Sequence, residues 1–93
     1  MKYEIAVILK EMEDEVHAGE FSKITEVIER FGGVVEKVDD WGKRKLAYEI
    51  QKQGRGFYSF ITFVAPTNAP AEIENRVRIM ENVLRYLIVS VEE

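Results

Sequence analysis

The chain has 93 residues, 46% of them hydrophobic and 32% charged, with a formal net charge of −4. That composition describes one soluble domain over residues 1–93 with room for a single core, and no apolar run nears the roughly 20 residues of a membrane span. With no cysteine and one histidine, disulfides, thiolate metal sites and cysteine nucleophiles are excluded, and no cofactor or membrane partner is expected.

Residues 2–10 alternate, with Tyr3, Ile5, Val7 and Leu9 on one side and Glu4, Ala6, Ile8 and Lys10 on the other, so they form a strand whose odd positions face the core. Ala6 and Ile8 leave an apolar patch on the opposite side. Nothing resembling a signal peptide precedes this strand, which points to the cytoplasm. Glu11, Glu13, Asp14 and Glu15 then precede a helical pattern, where negative charge is favoured by the positive end of the helix dipole. Phe21, Ile24, Ile28 and Phe31 recur at helical spacing over residues 15–31. His17 sits on the edge of that face as a packing residue, and Gly32-Gly33 stops the helix.

Residues 36–64 read as two long strands around a tight basic turn. Alternation starts at Val34, Val35 and Val38, breaks at Asp39-Asp40-Trp41-Gly42, and resumes at Leu46, Tyr48 and Ile50; the break predicts a β-bulge or bend. Gln53-Gly54-Arg55-Gly56 is the expected turn, because glycine accepts the positive φ of short hairpin loops. The aromatic and β-branched run over 57–64 is apolar on both faces, as in a central strand. Pro66 and Pro70 punctuate the start of a second helix with Ile73, Val77 and Met80 on its face, closed by Asn82. Residues 83–91 form the last strand, with Val83, Tyr86 and Ile88 inward and Leu87 and Val89 outward.

The order strand, helix, strand, strand, helix, strand with right-handed crossovers gives an α+β, ferredoxin-like βαββαβ fold. Its four-stranded antiparallel sheet carries both helices on one face, with the first and third strands central. The second face stays open. If Ile61 and Phe63 face the helices, then Tyr58, Phe60, Ala6, Ile8, Leu87 and Val89 share that open face as one apolar patch. Stacked RNA bases, a protein partner or a second copy of the chain are each compatible with it, as is cover by the C-terminal residues. With the chain ending at Glu93, a partner is the favoured expectation.

Charge singles out the hairpin. Residues 41–56 hold Lys43, Arg44, Lys45, Lys52 and Arg55 against Glu49, a window of +4 that leaves −8 on the remainder. Such a pole either binds anions or discourages edge-to-edge strand pairing. Catalysis finds no support: acids occupy the loop where a phosphate cradle would sit, and there is no glycine-rich phosphate loop, serine–histidine pair or metal-ligand cluster. No small-molecule substrate is implied. The RNA-recognition signature aligns with residues 55–63 only after a one-residue insertion, which turns every later side chain to the other face.

Taken in combination, Gly42-Lys43-Arg44-Lys45-Leu46-Ala47-Tyr48 and Asn82-Val83-Leu84-Arg85-Tyr86, with the opening Met1-Lys2-Tyr3-Glu4-Ile5, resemble the bacterial small-subunit ribosomal protein S6 family. The likeness spans nearly the whole chain. It implies a non-catalytic structural constituent of the small subunit that binds the central domain of 16S rRNA together with ribosomal protein S18. Carried onto matching positions, it implies Arg44, Lys45 and Arg85 as rRNA-facing cations. Lys2, Lys43, Lys52, Arg55 and Arg78 join them on charge and position. Ala6, Ile8, Tyr58, Phe60, Leu87 and Val89 are then the expected partner-binding residues.

Overall fold

A computed structural model describes residues 1–91. Its elements are β1 (Lys2–Lys10), α1 (Asp14–Arg30), β2 (Val34–Ile50), β3 (Gln53–Val64), α2 (Ala69–Arg78) and β4 (Val83–Ser90). The strands form one antiparallel sheet in the order β2-β3-β1-β4. This is the ferredoxin-like arrangement, with β1 and β3 in the centre.

The period-two pattern of β1 is realised fully. Ile5 and Leu9 have no exposed surface, and their register partners Ile61 and Phe57 are buried on the same side. Ile24 and Ile28 of α1, and Ile73 and Val77 of α2, complete this core with Phe63. Both helices therefore cover one sheet face. His17 stacks on Phe57 at 3.8 Å between ring centroids, within 20° of parallel, as a packing residue. Val83, Tyr86 and Ile88 are half-buried against the core, whereas Leu87 and Val89 are exposed.

Helix α1 stops where the glycines stand. Gly32 takes a φ of 87°, its N–H donates to Glu29, and the N–H of Gly33 donates to Ile28 at 2.9 Å, the paired bonds of a Schellman ending. At the other end Asp14 and Glu15 occupy the first turn, but no side chain caps it. The acids act there through charge alone.

Three local expectations are corrected. The hairpin turn lies at Gln51-Lys52, not at the glycines: both residues have positive φ, 50° and 65°, and Ile50 pairs with Gln53, the requirement of a two-residue type I′ loop. Gly56 answers to a different demand. A Cβ there would stand 2.8 Å from the carbonyl oxygen of Leu9 and 2.8 Å from Cγ2 of Ile8, so the sheet closes only over a residue without a side chain. Helix α2 ends at Arg78, not Asn82, and the Asn82 carbonyl accepts a bond from the Lys10 N–H at 2.9 Å, already in line with β4. Finally, Tyr48 is 57% exposed although Leu46 is buried. The register jumps from Lys45↔Arg55 to Ile50↔Gln53, so four residues of β2 face Gly54 alone and alternation no longer maps onto faces.

Candidate nucleic-acid and protein interface

The register aligns the open face in rows. Asp39, Phe60, Ala6 and Leu87 lie side by side across the four strands; the next row is Gly42, Tyr58, Ile8 and Arg85. Val89 lies beside Glu4, opposite Thr62. All six expected apolar residues therefore share one face, Leu87 and Val89 exposed and the other four half-buried.

Bulges decide what flanks this patch. The expected break falls between Asp40 and Gly42, where Trp41 is the extra residue and the Asp40 carboxylate accepts the Gly42 N–H at 2.9 Å. The bulge lays Trp41 over Phe60, with centroids 4.8 Å apart. A second bulge, between Ile8 and Leu9 on the β4 side, inserts Leu84, which is buried near Ile8 and Gly56. Arg85 follows it, its guanidinium 5.3 Å from the Tyr48 ring. Because β2 and β4 are the two edges of the sheet, that contact requires the irregular end of β2 to bend across the open face.

The eight candidate cations divide into two groups. Lys2 is ion-paired with Glu36 at 3.3 Å and lies at the far end of β1, roughly 26 Å from Lys10 by strand rise. Lys43 sits opposite Phe57 on the helix-facing side, 5.5 Å from its ring centroid and 3.2 Å from the Glu11 carboxylate. Arg78 ends α2 and donates to Asn75 at 3.2 Å. The remaining five, Arg44, Lys45, Lys52, Arg55 and Arg85, lie on the hairpin and the adjoining end of β4 and, like Arg78, have no ion-pair partner among the described residues. Arg44 is held by its Nε bond to the Trp41 carbonyl at 3.1 Å and by the indole beneath its guanidinium. With Lys45, Trp41 and Tyr58 it lines an open cleft of about 350 Å³. Lys45 and Arg55 face each other directly in register, a like-charge juxtaposition that destabilises the isolated hairpin.

Sequence reasoning did not single out Trp41, Tyr48 or Leu84 as parts of this surface. The break in alternation at residues 39–42 was the available signal for Trp41, since a bulged residue leaves its strand's parity. Nothing comparable marked Leu84.

The family model for Ribosomal protein S6 matches residues 2–90. The chain belongs to this family. It is 45% identical over 93 residues to the small ribosomal subunit protein bS6 of Clostridium kluyveri, covering 99% of this chain and 98% of that protein. Its identity to the bS6 of Alkaliphilus metalliredigens is 38% over 92 residues, covering 99% and 98%. The crystal structure of 30S ribosomal protein S6 from Thermotoga maritima superposes with a TM-score of 0.91 at 28% identity, over 97% of this chain and 86% of that one. An ACT domain from the GTP pyrophosphokinase of Chlorobium tepidum, at 16% identity and a TM-score of 0.58, shares the fold alone. This S6-family protein is thus a structural, non-catalytic component of the small subunit of the bacterial cytoplasmic ribosome.

Proposed function

We propose that this S6-family protein binds the central domain of 16S rRNA through its hairpin cations and docks ribosomal protein S18 on its open sheet face. The observation that carries the reading is the division of the cations. Six of the eight have no ion-pair partner among the described residues; five of these gather on the hairpin and the adjoining end of β4 while Arg78 ends α2, and two of the five oppose each other across the strands. A phosphate between Lys45 and Arg55 turns that repulsion into attraction. Arg44 and Arg85 are held over aromatic rings, which limits the ordering that binding must still impose.

The remainder of the chain is strongly negative, so the hairpin alone faces an opposing field when it approaches RNA. Binding is therefore cooperative: S18 covers the apolar rows and completes a surface that neither protein has alone. The test titrates the protein into a central-domain rRNA fragment, with and without S18, at two salt concentrations. Binding is expected only with S18, and the Arg44→Ala/Lys45→Ala double variant should weaken it. The slope of log K against log salt should become shallower by about 0.7–0.9 for each phosphate that the variant no longer neutralises. Tight, salt-resistant binding of the protein by itself would contradict cooperativity. A stable homodimer with no RNA binding under either condition would point instead to open faces that pair with each other.

A further inference from the structure

Trp41 borders two clefts of opposite character. On one side stand Arg44, Lys45 and Tyr58. On the other, a cleft of about 300 Å³ is lined by Glu4, Lys37, Asp39, Trp41, Phe60 and Thr62. This second cleft has an aromatic wall, the Trp41–Phe60 pair, whose rings are inclined by 56°. Its two carboxylates come from β1 and β2 on either side of β3, two strand spacings across and two residues along the strands, or about 12 Å apart at the backbone. Neither Glu4 nor Asp39 is ion-paired among the described residues, although Lys37 shares the cleft.

We propose that this cleft receives an arginine side chain of the protein that docks on the open face, its guanidinium packed on Trp41 and Phe60 and reached by Glu4 and Asp39. The inference rests on the reading that the open face docks a protein, and it names the chemistry of the contact. Charge complementarity selects the occupant. A nucleic acid is repelled by the two carboxylates, and an apolar side chain leaves them without a partner, whereas a planar cation satisfies aromatic ring and carboxylate together. Lysine fits less well, because its compact ammonium is more strongly hydrated and does not stack. Trp41 thus separates an anion-binding side of the molecule from a cation-binding side. Lys37 is a built-in competitor for the same carboxylates.

Trp41 is the chain's one tryptophan, so a 5-fluorotryptophan label gives a single fluorine resonance that reports on the cleft directly. The first titration compares arginine amide with citrulline amide, which has nearly the same shape and no charge on its side chain. Arginine amide should shift the resonance saturably and citrulline amide should not. The Glu4→Gln/Asp39→Asn double variant should abolish the arginine response, and Lys37→Met should tighten it several-fold. In the complex with S18, the acidic double variant should lose at least tenfold in affinity, with the loss shrinking as salt rises. Equal responses to the two amides overturn the proposal whatever S18 does. If S18 fails to bind the wild-type protein while arginine amide still discriminates, the cleft assignment stands and the docking reading falls.

Discussion

The two faces of this sheet are built from the same strands, and consecutive residues go to opposite fates. Ile5, Val7 and Leu9 have at most 1% of their surface exposed, while Ala6 and Ile8 between them remain half-buried and Leu87 beside Ala6 is 62% exposed. The helix-covered face is completed by folding. The open face carries an apolar strip of Phe60, Ala6 and Leu87, with Tyr58 and Ile8 in the next row, flanked by charged residues and left without the cover of an interior. Apolar burial drives both folding and association, so the proposed docking of S18 would draw on the part of that driving force that folding leaves unused on the open face.

Truncations on the two faces should therefore give opposite results. Ile5→Ala removes a fully buried side chain and should destabilise the protein by about 3–4 kcal/mol in urea unfolding. Leu87→Ala should change stability by about 0.5 kcal/mol or less yet weaken S18 binding more than any core variant that still folds. Comparable stability losses at both positions would mean that the open face is already part of the folded core. Gly56→Ala sharpens the comparison from within the sheet. The added methyl group meets a backbone carbonyl that cannot rotate away, so a loss of about 1–3 kcal/mol is expected. The Tyr48–Arg85 contact should loosen with it, visible as altered exchange broadening of the Arg85 side chain.

What was legible in the sequence follows from the periodicity of the backbone. A side chain on a regular strand has two directions to choose from, so β1 and the outward position of Leu87 could be read from alternation, whereas β3 was legible from its aromatic and β-branched run. The glycine stop of α1 was legible because other residues are strained at a positive φ, while the structure alone assigns that φ to Gly32. The hairpin turn was misplaced because glycine carries two meanings, positive φ and close approach, and Gly56 serves the second. The division of the cations was hidden for a related reason. Lys43 and Arg44 are neighbours in the chain, but one pairs with Glu11 on the helix side and the other lies on Trp41; composition cannot separate them without the bulge that sets their parity. Leu84 occupies the open side only because β4 carries an extra residue there.

Ser59 is the exception on the covered face. It faces the helices opposite Val7, is 1% exposed, and its hydroxyl oxygen has no hydrogen-bond partner among the described residues. A buried, unpartnered hydroxyl loses its hydration without replacement. Ser59→Ala should therefore leave stability unchanged or raise it by up to about 1 kcal/mol, measured as a higher urea midpoint at constant m-value. A clear drop in the midpoint would show that the hydroxyl is satisfied by buried water.

The smallest expected effect lies at the rim of the covered face, where Tyr86 of β4 donates its hydroxyl hydrogen to Glu74 of α2 at 3.3 Å. Burial of the phenol, reinforced by the adjacent Glu74 carboxylate, raises the Tyr86 pKa above its ordinary value. Both causes disfavour the phenolate, so the folded chain holds this proton more tightly than the unfolded one. The associated stability is fully present below the ordinary phenol pKa of about 10 and is lost as pH climbs from there through the folded value. Glu74→Gln keeps an oxygen to accept the hydrogen bond and removes the charge, so Tyr86 should ionise at lower pH while burial still holds it above the ordinary value. Subtracting the tyrosinate absorbance of Tyr86→Phe isolates this group from the other three tyrosines. An unchanged titration in Glu74→Gln would leave burial against the core as the sole cause, and the rim would then belong fully to the covered face.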